Sequence, residues 1–77
     1  MERFTTESTY KIQGRGMVHA VRLREPRKAG EMRVLCGQEV ELDGEVVRVK
    51  DVEMFAVGDN QSVREIGLLI APLTPPA

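Results

Sequence analysis

The side chains of this chain that could do chemistry are few and mostly solitary. His19 is the only histidine and Cys36 the only cysteine, so a Cys–His nucleophile would require the fold to bring two lone residues together. Counted with a period of two, His19 falls among Met17, Val21 and Leu23, which reads as a histidine of the core or of a barrel end. Cys36 precedes Gly37 at a strand end and reads as an inert small hydrophobe. One His and one Cys do not approach a zinc set, so no metal is expected. The acids Glu39, Glu41, Asp43 and Glu45 fit the solvent side of a hairpin better than a calcium loop. No Gly-x-x-x-x-Gly-Lys-Ser/Thr segment is present to cradle a nucleotide phosphate. Neither an enzyme nor a cofactor is expected.

What remains is charge. Residues 1–34 hold eight basic and four acidic side chains, and residues 35–77 hold three basic and eight acidic, giving halves of +4 and −5. The basic group Arg22, Arg24, Arg27, Lys28 and Arg33 is the candidate surface for an anionic partner, since guanidinium forks suit phosphate. Against RNA stands the thin aromatic support of Phe4, Tyr10 and Phe55, too little for a base-stacking platform. The plainer reading is that distant parts of the chain fold side by side and the two halves neutralise each other.

These residues must be positioned by a small scaffold. A chain of 77 residues is one domain with one core. A single cysteine rules out an intrachain disulfide and points to a reducing, cytosolic setting. With no staple, stability at this size is marginal, and a homo-oligomer is one remedy. No run nears the roughly 20 apolar residues of a membrane-spanning helix, and the first residues lack the pattern of a secretory leader. No membrane partner is expected.

Short alternating runs separated by glycine signals predict an all-β chain. Thr9 to Gln13 reads as a first strand. Gly14-Arg15-Gly16 marks a kink, and Met17 to Arg24 is a second strand whose two faces are Met17, His19, Val21, Leu23 and Val18, Ala20, Arg22, Arg24. Residues 25–30 read as a loop around Pro26, followed by a short strand from Met32 to Leu35. Asp43-Gly44 predicts a type I′ hairpin that pairs Leu42 with Glu45, Glu41 with Val46, Val40 with Val47 and Glu39 with Arg48. The inward set shifts phase near Lys50-Asp51, which calls for a bulge. Residues 56–61 read as a polar loop and Ile66 to Ala71 as the last strand. Residues 1–8 are expected to be flexible, 9–71 to form the domain, and 72–77 to be a proline-rich tail. Shedding both ends suggests closure of the sheet.

The segments Ile12-Gln13-Gly14-Arg15-Gly16-Met17-Val18, Gly37-Gln38-Glu39-Val40-Glu41-Leu42, Val52-Glu53-Met54-Phe55 and Ile66-Gly67-Leu68-Leu69-Ile70 resemble domain 2 of the translational GTPases, that of elongation factor Tu above all. They occur in the family's order and span residues 9–71. The resemblance implies a small closed six- to seven-stranded antiparallel β-barrel. It also implies a surface that contacts the aminoacylated end of transfer RNA or ribosomal RNA. It would set Arg22 at the family's arginine position, Glu53 against a terminal adenosine, and Arg15 in a structural role. The expectation is therefore a binding module, with a protein partner foremost and RNA second. Its candidate residues are Arg15, Arg22, Arg24, Arg27, Lys28, Arg33 and Glu53. The other reading is a structural or oligomeric accessory protein, such as a phage protein, that reuses the barrel for assembly.

Overall fold

The computed structural model describes residues 1–54 and 58–72, the last of these by its backbone alone. The polar loop expected from Ala56 onward and the proline-rich tail lie in part outside the described residues. Alternating side chains build one sheet from β1 (Arg3–Phe4), β2 (Thr6–Ile12), β3 (Gly16–Lys28), β4 (Glu39–Leu42), β5 (Glu45–Glu53) and β6 (Ser62–Pro72), with one short helix, α1 (Ala29–Arg33), between β3 and β4. The strand order is β1-β4-β5-β6-β3-β2.

The Asp43-Gly44 hairpin forms as the dipeptide predicts. Asp43 and Gly44 take positive φ of 52° and 84°, the backbone a type I′ turn demands and glycine supplies without strain. All four expected cross-strand pairs are present, and Arg48 lies 3.5 Å from Glu39. The bulge expected near Lys50-Asp51 is found between Val49 and Asp51.

Closure is where the structure corrects the sequence. The sheet is open, with β1 and β2 as its edges, and β1 runs parallel to β4, so the ladder is not wholly antiparallel. The reason is covalent. Only Thr5 separates the two edge strands, and segments joined by one residue cannot turn back to pair, since even the tightest common hairpin needs two loop residues. The sheet therefore coils until its edges meet end to end at Thr5, and they are bonded there through a third party. Asp43 accepts the Thr6 amide at 2.7 Å and the Thr6 hydroxyl at 2.6 Å, while its own amide donates to the Phe4 carbonyl at 3.0 Å.

Residues expected to precede the domain thus contribute β1 and the start of β2. Phe4 is buried in the core, and burial of an aromatic ring outweighs the freedom of a terminus.

Residues 25–30, read as a loop, continue β3 to Lys28 and then open α1. Between Arg22 and Arg27 the chain takes five steps on β3 against two on β6. Pro26 sits in this bulge, where no ladder partner requires its missing N–H. The expected strand from Met32 to Leu35 is instead helix and turn. Ala29, Met32 and Leu35 are buried, a spacing of three that places them on one helical face.

Two layers of apolar packing follow from the register. The main core joins Phe4, Val21, Leu23, Met32, Leu35, Val40, Leu42, Val47, Val49, Ile66 and Leu68. Val18, fully buried, lies outside that cluster because it belongs to the opposite face with Ala20 and Arg22.

Asp43 makes the fold sensitive to acid. Its carboxyl is held below the ordinary aspartate range, first by the Thr6 hydroxyl, then by the Thr6 amide, with a smaller contribution from nearby His19. A group depressed in the folded state stabilises above its unfolded pKa, about 3.9, and loses that contribution as pH falls through the lower folded value. The melting temperature of the wild type should thus drop below about pH 4 more steeply than that of Asp43→Asn, as thermal circular dichroism across pH 2–6 would show. Parallel curves would refute the clasp.

Candidate binding cleft and charged surface

On the face opposite the main core, β2, β3, β5 and β6 enclose an open cleft of about 500 Å³. Ser8, Tyr10 and Ile12 come from β2, Ala20 from β3, Glu65, Ile66 and Gly67 from β6, and Glu53 from the end of β5 with Met54 just beyond it. Its depth depends on one missing side chain. Gly67 pairs with both Ala20 and Glu53, and a Cβ there would stand 2.6 Å from Val18 Cγ1, 3.1 Å from Glu53 Cβ and 3.2 Å from the Tyr10 hydroxyl. Glycine is therefore the floor across which three neighbours approach. The walls are apolar and the rim carries two carboxylates, a composition that suits a side chain with an apolar stem and a donor at its end.

Both carboxylates are already engaged. Arg15 Nη1 donates to the two Glu53 oxygens, each at 2.7 Å, and Arg15 also binds Asp51. Arg22 Nη2 donates to Glu65 at 2.8 Å, with Glu7 3.5 Å from its Nε. The Glu65 hydrogen bond, then the Glu7 charge, holds the Arg22 guanidinium still more firmly protonated.

The same pattern runs through the rest of the basic group. Arg27 donates to Glu2 at 2.7 Å and Glu31 at 3.3 Å, and the Glu2 hydrogen bond is the chief cause of its raised pKa. Arg33 binds Asp59, and Arg3 lies 3.0 Å from Glu41. Among the described residues, Arg24 and Lys28 are the candidates without a carboxylate partner.

The seven candidate residues thus occupy three places. Arg15 and Glu53 meet at the cleft. Arg22, Arg24 and Arg27 border a groove of about 380 Å³ with Arg3, Phe4, Glu2 and Glu25. Lys28 and Arg33 lie beside the turn through Asp59, where Lys28 pairs with Ser62. Arg3, Arg15, Arg22 and Arg33 each reach a carboxylate of the acidic half, so the halves neutralise each other over much of the surface.

His19 is half-buried, with Nδ1 3.3 Å from Thr6 Oγ1. Because that hydroxyl donates to Asp43, its oxygen is left to accept from His19 Nδ1–H. Thr6 is therefore not primed as a nucleophile by the histidine. Cys36 is exposed and its thiol lies 3.7 Å from Asp51 Oδ1. Among the described residues no three His, Cys, Asp or Glu side chains cluster to hold a metal, and no helix is long and apolar enough to cross a membrane.

Ser8, Ala20 and Gly67 escape a reading by residue chemistry, being small, and Tyr10 registers there only as an aromatic. The available signal was Gly67 itself, an isolated glycine inside an apolar strand, which marks close approach by another group.

No family model, no curated protein and no solved structure matches the chain.

Proposed function

We propose that this chain is a non-catalytic binding module of the cytosol, related in design to domain 2 of the translational GTPases, and that it takes a side chain of a protein partner into the Gly67 cleft. The observation that carries this is the pairing of that cleft's apolar, glycine-floored walls with neutralised carboxylates at its rim. Such a site favours an apolar stem ending in a hydrogen-bond donor, and its apolar walls and neutralised rim offer a phosphate no compensating charge. The RNA reading has weaker support. The arginines best shaped for phosphate are held by carboxylates, which an anion would have to displace, and among the described residues Tyr10 is the one ring at the cleft.

The test fills the cleft without touching its charges. Ala20 is half-buried beside Gly67, and Ala20→Leu should keep the circular dichroism spectrum while removing the proteins that wild type captures from its native cell extract. A parallel titration of transfer RNA and ribosomal RNA at several salt concentrations should show weak, shallow binding. Tight binding that falls steeply with salt, and that Arg24→Ala with Lys28→Ala abolishes, would replace the protein reading with the RNA one.

A further inference from the structure

Strand β2 is an edge of the sheet with no strand beside it among the described residues. Its outer row of backbone groups has no ladder partner among the described residues, and every residue from Glu7 to Lys11 is exposed. The strand carries no proline and is rich in Thr, Ser, Tyr and Ile, the composition that favours pairing. Natural edges of this kind are blunted by like charges that repel a copy of themselves. Here the two charges are opposite in sign and sit at opposite ends, Glu7 toward the start and Lys11 toward the finish.

We infer that β2 is a self-association surface, at which two copies of this chain pair antiparallel about a two-fold axis through Thr9. That register sets Thr9 against Thr9, Ser8 against Tyr10 and Glu7 against Lys11, with each contact made twice. Parallel pairing in register would set like charge against like and is disfavoured. Ser8 and Tyr10 lie on the cleft face, so each copy's Tyr10 ring covers the β2 side of the other's cleft. Tyr10 is 46% exposed in the single chain, and this contact would cover it.

The assembly closes at two. The opposite edge, β1, is two residues long, and the chain just past it is clasped at Thr6 by Asp43, so among the described residues that edge is too short to extend the sheet into a fibre. The bulge between Thr6 and Ser8 limits the new ladder to the segment after it.

The inference borders the cleft but does not rest on the cleft reading, and its test uses different residues. Sedimentation equilibrium of the full chain should give a dimer. Lys11→Glu places two acids at each end of the new ladder and should raise the dissociation constant about tenfold or more. Glu7→Lys combined with Lys11→Glu restores opposite charges and should recover dimer. Both positions are exposed, and circular dichroism would verify that the variants fold. Amide exchange in β2 should slow as wild-type concentration rises. A wild-type chain that stays monomeric at all concentrations overturns the proposal. So does a dimer indifferent to Lys11→Glu, or one that the double reversal fails to rescue.

Discussion

Leu68→Ala should bring the chain to the brink of unfolding at room temperature. Leu68 has no exposed surface and stands at the middle of β6, facing His19 on one side and Val52 on the other. Truncating a leucine so placed removes its transfer free energy and leaves a cavity, together about 2–5 kcal/mol. A domain of this size with no disulfide has a net stability of about 3–5 kcal/mol, so the loss is of the same order as the whole. The consequence is a melting transition shifted down by tens of degrees or lost, read by thermal circular dichroism. Val34→Ala is the matched control, because Val34 is 63% exposed and should change stability by less than about 0.5 kcal/mol. Equal effects of the two substitutions would mean that Leu68 is not in a packed core.

The second large effect belongs to Gly67→Ala. An added methyl would stand 2.6 Å from Val18 Cγ1, well inside ordinary carbon–carbon contact. Val18 cannot step aside, being β-branched and fully buried. Overpacking of this kind costs about 1–3 kcal/mol. The mechanism makes a sharper prediction than the magnitude. Val18→Ala removes the clashing methyl groups, so the double variant should be distinctly more stable than the sum of the single losses predicts. Denaturant titration of the four proteins in the cycle measures that coupling. Additive losses would show that the two side-chain positions do not meet. The same substitution fills the floor of the cleft, so partner capture should fall even under conditions where Gly67→Ala remains folded.

The clasp at Asp43 and the pairing at β2 are two answers to one problem. A six-stranded sheet of this size has two edges to protect, and β1 is protected by its brevity and by the hairpin turn that grips Thr6. The other edge is covered by a second copy in the inferred dimer. Closure by a continuous ladder would have removed both edges, as the likeness to the translation-factor module implied, but the single residue between β1 and β2 prevents it.

Local chemistry was legible in the sequence by itself. The Asp-Gly hairpin, its register, the Glu39–Arg48 pair, the bulge before Asp51 and the two faces of β3 all follow from rules acting over a few residues: the φ that Gly44 tolerates and the period of two in a pleated strand. The helix at Ala29 reads instead as a loop and a short strand, because the apolar positions 32, 34 and 35 around Arg33 fit strand and helical turn alike without their neighbours. Tertiary structure alone decided the rest. Phe4 looks like part of a loose end until its pocket exists, and Pro26 reads as a breaker until a bulge removes the need for its N–H. The basic residues looked like a phosphate surface because sequence shows which charges are present and not which carboxylates will stand beside them. Arg15 and Glu53 are 38 positions apart, and only the coiling of the sheet makes them a pair. The cleft is the extreme case, a void defined by the side chain Gly67 lacks, which a lone glycine in an apolar strand hints at and only the strands around it define.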